Sequence, residues 1–472
     1  MNFFERIKGW FNRMFNASTI QSKIGINLAI SDSMQNAILL WKREYLNLER
    51  KYKFGYEQKT LRLQKTISSE LARMITIENE IKITGENSRA EFIDAAFNAV
   101  RNRLRTETEY WQALGGLVIK PYFYDGQLGL DFIQQDKFMP IEFDTNGILQ
   151  SAIFFEQRKV GKIFYTRCEV HRRIAINKYA IENMAYSSYN EENLGEQVPL
   201  TDISEWAAIE PSVIISDCPR PLFTYIRTPY ANNIDELSRL GISCFANVDN
   251  LIYDADEQYS RLMWEFEGGE LAVHASSDLF VKSKYKNAKL DEYVYNLPKG
   301  KNRLYKVFNA SPGEQPMQTF SPALRDLNLI NGLNKILQEI EIGCGLSYGM
   351  LSDTTLLEGR TATEINMLKQ RSYSTISDNQ KALEAGLKEL AEVVDIYCDL
   401  YSLVPNGEWG MECHRDDSII VDIQSKLQEM AQLKALGVVS AEEIRQWYFN
   451  EDEETAKKRA AEIREQTQFI IP

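Results

Sequence analysis

The feature that most constrains this chain is a helical pattern about forty residues long. It runs from Thr361 to about Val404 and restarts after a loop that reads GLSYGMLSDTTLLEGR. Helices in soluble domains average about three to four turns, so this one is unusually long. Its start is set by Thr361 and Glu364, a T-x-x-E capping box in which the threonine oxygen and the carboxylate satisfy free first-turn amides. Upstream of the loop, after Pro322, the residues Leu327, Ile330, Leu333, Leu337 and Ile340 recur at helical spacing. The loop is therefore held between two helices.

The earlier part of the chain mixes helix and strand. Met1 to Phe15 places Phe3, Phe4, Ile7, Trp10, Phe11, Met14 and Phe15 at helical spacing with bases between them. This segment reads as an arm docked on its own or a neighbouring subunit, with a membrane-surface helix as the weaker alternative. A helix starts at Asp32 with Met34, Ile38, Trp41, Tyr45 and Leu48 on one face, and another runs from about Ser88 to Gly115-Gly116. Asp125-Gly126 and Asn146-Gly147 mark hairpin turns, and Gly161 marks a hairpin with a longer loop. These predict an antiparallel meander that ends near the stretch from Pro219 to Pro229.

From Gly241 the apolar residues Phe245, Val248, Ile252, Ala255, Tyr259, Leu262 and Phe266 alternate by three and four. That seven-residue rhythm suits a helix packed against copies of itself. Its other faces carry Asp249, Asp254, Asp256, Glu257, Glu265 and Glu267 against the single base Arg261, so the helix presents negative charge. A lysine-rich stretch of strand and loop character follows, with Lys282, Lys284, Lys286 and Lys289 clustered on it. After Pro405 a helix runs from Ile423 to Leu436, and Ser440 with Glu443 forms a second capping box.

Composition narrows the function. The net charge of −13 is opposite to that of a protein gripping phosphates by charge neutralisation. No apolar run reaches the roughly 18 residues that span a bilayer, and no signal-peptide pattern opens the chain. Six cysteines lie scattered without C-x-x-C spacing, as expected of reduced thiols in a cytoplasmic protein. No phosphate-binding loop is present, and Gly343, Gly345 and Gly349 end a helix where a dinucleotide fingerprint would open one. The HRDD sequence from His414 to Asp417 has Val421 where a kinase needs its metal-binding asparagine, and no D-F-G follows. His171, His274 and His414 are too far apart for a local ligand pair, and Asp416, Asp417 and Asp422 read as a solvated face. The expectation is a protein with no enzymatic activity, no cofactor and no metal.

Several segments, taken in order, carry a resemblance: ISDSMQNAILLW, ALGGLVIKPYF, DKFMPIEFDTNGILQSAIFFEQ, FSPALRDLNLINGLNKILQEIEIGCGLSYGMLSD, TATEI and DDSIIVD. From about Ile30 to Tyr448 the chain resembles the portal proteins of tailed bacteriophages and prophages, of the siphophage type. The resemblance implies an α+β, mainly helical portal fold. Its parts would be an amphipathic arm (1–20), a wing with a β meander (21–235), a first stem helix (236–268) and a clip (269–321). A second stem helix (322–344), a tunnel loop (345–360), a long wing helix (361–404) and a helical crown (405–472) would follow.

The implied function is a head-to-tail ring of about twelve subunits at one capsid vertex, through which double-stranded DNA is packaged and ejected. Partners would be the terminase motor, the head–tail adaptor, and the major capsid and scaffold proteins, with no stable membrane association. The protein would reside in the virion, and in the host cytoplasm during assembly. Met350, Leu351, Ser352, Asp353, Thr354, Thr355, Leu356, Leu357 and Glu358 would form a mobile collar around DNA, its apolar members protruding and its polar members keeping it solvated. The stem acids would line the channel and repel the duplex toward the axis, and the four clustered lysines would meet acidic partner surfaces below the ring. The alternative is another head–tail connector or adaptor ring.

Overall fold

The computed structural model describes residues 16–48, 52–53, 56–77, 79–124, 126–279, 282–287, 292–295, 305–308, 315–353, 362–415, 423–449 and 451–468. The amphipathic segment from Met1 to Phe15, the Thr361 capping box, Asp416, Asp417 and Asp422 lie outside the described residues.

Four helices open the fold: α1 (Ala17–Ile24), α2 (Asp32–Tyr45), α3 (Leu63–Thr76) and α4 (Ser88–Leu114). Local chemistry sets their ends. Ser31 Oγ accepts from the Met34 amide at the start of α2, and Asn87 Oδ1 accepts from the Arg89 and Ala90 amides at the start of α4. Gly115 closes α4 at φ 90°, a left-handed conformation that favours glycine. Its neighbourhood is also tight, because a Cβ at Gly241 would lie 2.1 Å from the Gly115 carbonyl oxygen. That close approach joins the end of α4 to the strand-rich body's exit toward the next helix.

Between 79 and 227 the chain is mostly strand. β1 (Asn79–Thr84) precedes α4, and β2 (Gly116–Tyr124) and β3 (Gln127–Gln134) form the hairpin expected at Asp125-Gly126. A second sheet holds β4 (Phe138–Phe143), β5 (Leu149–Val160), β6 (Ile163–Ala175), β7 (Lys178–Ser188) and β8 (Glu196–Val198), antiparallel and in sequence order. β9 (Ser212–Ser216) also pairs with β7, and β10 (Thr224–Arg227) pairs with β2. The turn at Gly161 is tighter than its sequence suggests. Val160 pairs with Ile163, so only Gly161 and Lys162 make the turn, with Gly161 at φ 62°.

The second half begins with α5 (Asp249–Gly268). β11 (Ala272–Ser276) follows, then the hairpin of β12 (Lys282–Asn287) and β13 (Glu292–Tyr295). β14 (Tyr305–Phe308) and β15 (Met317–Phe320) flank β11, one parallel and one antiparallel. α6 (Asp326–Gly343) packs antiparallel on α5, and α7 (Ala362–Leu400) follows. β16 (Gly410–Arg415) runs antiparallel to β1. The chain continues as α8 (Ile423–Ala435), α9 (Ala441–Phe449) and α10 (Glu453–Gln468). The Ser440 capping box forms as expected: the Ser440 amide donates to Glu443 Oε2 at 2.7 Å, and the Glu443 amide donates to Ser440 Oγ at 3.1 Å.

One core runs through the body. Ile38, Ile67, Leu71, Phe97, Trp111, Val118, Ile153, Phe245, Ile252, Leu387 and Val394 all belong to it. The seven-residue rhythm of α5 is used here. Phe245 and Val248 lie buried just before the helix, and Ile252, Ala255 and Leu262 are buried within the single chain. The seam expected to pack on copies of itself is thus largely consumed inside the subunit, with Leu333, Ile336 and Leu337 of α6 packed on the same core. Phe266, its last member, remains 42% exposed.

Candidate channel and interface residues

The six stem acids divide into two sets. Asp256 is buried and accepts the Leu61 amide at 2.7 Å. Glu265 is also buried: its Oε1 accepts the Arg325 amide at 3.0 Å, and its Oε2 pairs with the Arg325 guanidinium at 2.7 Å. Hydrogen bonds from the Arg325 side chain and backbone hold the Glu265 carboxyl below its ordinary value. These two were expected to stand on an open wall, and instead they are spent on internal ties. Asp254 and Glu267 are exposed, while Asp249 and Glu257 are half-buried, Glu257 pairing with Arg261 at 2.5 Å.

The first residues of the expected collar are likewise held. Met350 and Leu351 are half-buried against the core, and Ser352, expected to be solvated, is buried. The reason is Glu341 in the last turn of α6, fully buried, whose Oε1 accepts the amides of Leu351 at 2.5 Å and Ser352 at 2.9 Å. Its Oε2 accepts the Ser352 hydroxyl at 2.8 Å. Two turns earlier on α6, Asn334 Oδ1 accepts the Asp353 amide at 2.6 Å. The Ser347 amide and hydroxyl both reach Ser372 Oγ on α7, at 2.6 and 2.7 Å. Glu341, Asn334 and Ser372 were not singled out from sequence, although the seven-residue spacing of Asn334 and Glu341 puts both on one helix face. Thr354, Thr355, Leu356, Leu357 and Glu358 lie outside the described residues.

Lys282, Lys284 and Lys286 lie on β12, with Lys282 paired in register to Tyr295 and Lys286 to Tyr293. Lys289 lies outside the described residues.

Two large apolar side chains of the hairpin stand exposed: Trp264, not singled out from sequence, and Leu327, expected within the apolar stripe of α6. Trp264 is 58% exposed and Leu327 is 72% exposed. Gln258 and Glu265 face α6, bonding to Leu329 and Arg325, and Trp264 lies about 100–120° round α5 from them. Leu327 lies about 160° round α6 from both Leu329 and Arg325, one on either side of it, so it stands on the face of α6 turned away from α5. Trp264 therefore stands on a flank of α5 and Leu327 on the back of α6, and the Glu265–Arg325 pair sets them at about the same level.

One buried constellation has acid–base character. Glu169 Oε1 receives Lys120 Nζ and His171 Nε2, each at 2.6 Å, and Oε2 pairs with Arg167 at 3.1 Å. The Tyr179 hydroxyl meets His171 Nδ1 at 3.0 Å. Burial pushes the His171 pKa down against the pull of Glu169, so the neutral ring donates from Nε2 and accepts at Nδ1. His171 is 1% exposed, whereas Lys120, Arg167 and Glu169 line a cavity together with Phe132, Phe154 and Arg158. Among the described residues, no group of His, Cys, Asp and Glu is placed to hold a metal ion, and no helix is long and apolar enough to cross a membrane. The six cysteines form no disulfide.

Among the described residues the elements present a helix hairpin with large exposed apolar side chains beside a mixed helix and sheet body. Comparison with protein families gives the class of molecule. Residues 30–468 match the family described as phage portal protein, SPP1 Gp6-like, and the chain belongs to that family. Its function is that of a phage portal, a capsid component serving DNA packaging, in a family that is structural and non-enzymatic. No curated protein matches the chain.

Proposed function

We propose that this chain closes head to tail into a ring of about twelve copies at one capsid vertex, forming the channel for double-stranded DNA. In this reading α5 and α6 are the stem helices, the strands from β11 to β15 belong to the clip, and residues 345–360 form the tunnel loop. The long helix α7 belongs to the wing, and the helices after β16 form the crown. Asp254 and Glu267 are then the stem acids best placed to face the bore and repel the duplex toward the axis. The lysines of the clip dock the terminase motor and later the head–tail adaptor, while the outer body meets the major capsid and scaffold proteins.

The observation that carries this reading is the pair of exposed apolar side chains Trp264 and Leu327. They lie near one level of the hairpin, Trp264 on a flank of α5 and Leu327 on the face of α6 turned away from α5, so they do not cover each other within the chain. A rotation about an axis along the hairpin brings the Trp264 flank of one copy to the Leu327 face of the next, and repeating it closes a ring. Such a contact removes two large exposed apolar side chains from water at every interface. The test is a double variant, Trp264→Cys with Leu327→Cys, oxidised and run under denaturing conditions. A ladder up to the full ring is expected, with dimers at most from either single variant. Rings seen by electron microscopy without a ladder would reject this interface, and monomers alone would reject the ring.

A further inference from the structure

We propose that Glu341 is a latch that fastens the chain leaving α6 back onto α6, so that residues 351–353 and the helix move as one body until the latch is broken. The argument begins with where the carboxylate sits. Glu341 lies in the last turn of α6, where the helix dipole opposes negative charge, and its side chain is fully buried. The hydrogen bonds to its carboxylate come from the Leu351 amide, the Ser352 amide and the Ser352 hydroxyl. Three neutral donors converging on two oxygens are what a buried carboxylate needs in place of water.

The dependence runs both ways. Lifting Leu351 and Ser352 away would leave a buried carboxylate without those donors at the unfavourable end of a helix. Intermediate positions are worse than either the latched state or a fully hydrated one, which makes the root of this segment two-state instead of gradually compliant. Asn334 adds an independent hook on Asp353, and Ser372 ties the preceding Ser347 to α7. A pull on the chain beyond Asp353 is thereby passed to α6 first. The inference concerns the single chain and stands whether or not the ring forms as proposed.

Hydrogen exchange at single-amide resolution on the full-length protein tests this. In the unaltered chain the Leu351 and Ser352 amides should exchange as slowly as those in the middle of α6. Glu341→Leu removes both acceptor oxygens while keeping the site filled, so both amides should exchange at least about tenfold faster while α5 and α6 keep their protection. Should that variant fold poorly, Ser352→Ala removes the hydroxyl donor to Glu341 and the acceptor of the Gly349 amide, and should speed exchange at position 352 by a smaller factor. Asn334→Ala should release the Asp353 amide alone. Fast exchange at Leu351 and Ser352 in the unaltered protein would overturn the proposal, as would unchanged exchange in Glu341→Leu or equal loosening along all of α6.

Discussion

Arg89 and Asp395, 306 residues apart in the chain, are joined by a hydrogen bond of 2.8 Å from the guanidinium to the Asp395 carbonyl oxygen. The same guanidinium pairs with the Asp395 carboxylate at 3.1 Å, donates from Nε to the Pro405 carbonyl at 3.1 Å and pairs with Asp399. Arg89 is 1% exposed, whereas the two acids reach solvent. One planar fork thus ties the first turn of α4 to the last turns of α7 and to the chain that follows.

Arg89→Ala should therefore destabilise the body by about 2–3 kcal/mol, less than for a fully buried pair because the acids can rehydrate. Arg89→Lys should recover only part of this, since a single ammonium cannot reach the same set of acceptors. Urea unfolding followed by tryptophan fluorescence measures both. A lysine variant as stable as the unaltered protein would show that charge alone matters at this position.

Acid should loosen the sheet through His171. Its folded pKa lies below the ordinary 6.5 because burial disfavours the cation. The unfolded chain then binds more protons, and stability falls as pH drops below about 6.5 until it passes the folded value. Glu169 acts in the same direction at lower pH: burial would raise its pKa, but Lys120, His171 and Arg167 hold it well below 4.5. Its contribution is present above that range and is lost as pH falls through the depressed value. The unfolding free energy measured in urea should change by at most about 1.4 kcal/mol per pH unit from the histidine alone. His171→Gln should flatten the profile below 6.5 while leaving the lower-pH loss in place, and an identical slope in the variant would exclude His171 as the source.

The tunnel-loop reading gives a sharper cut. Removing Thr354 to Glu358 while keeping Ser352 and Asp353 on Glu341 and Asn334 should leave ring assembly intact. DNA content of particles built with this variant should fall severalfold. Normal filling with an intact ring would refute a role for those residues in the channel. A deletion starting at Ser352 is a poorer experiment, because it also strips donors from the buried carboxylate.

Much of this architecture is legible where its causes are local. The ends of α4 follow from Asn87 and Gly115, and the β2–β3 hairpin follows from its Asp-Gly turn. α3 was there to be read in Leu63, Ile67, Leu71 and Ile75, but Arg62 at its start has φ 55° and no side-chain cap, so no start signal marks it. The seven-residue rhythm before and within α5 was real. Its partner was misread because an apolar stripe has the same spacing whether a sister helix or the chain's own α6 covers it. Asp256, Glu265 and Glu341 look like ordinary surface acids in sequence, since only the fold supplies Leu61, Arg325 and Leu351 as their donors. β1 was invisible for the same reason.

That last strand has a consequence for how the protein is made. β1 takes its only ladder partner among the described residues from β16, with Thr84 opposite Gly410 and Asn79 opposite Arg415. Roughly three hundred residues must be synthesised between the two, which at ribosomal speeds takes on the order of twenty seconds to a minute. Throughout that interval the nascent body carries an open strand edge, a surface that invites wrong pairing. Closing it requires β16, so a chain cut short before Gly410 by damaged message or stalled translation keeps the edge of β1 unpaired by its ladder partner.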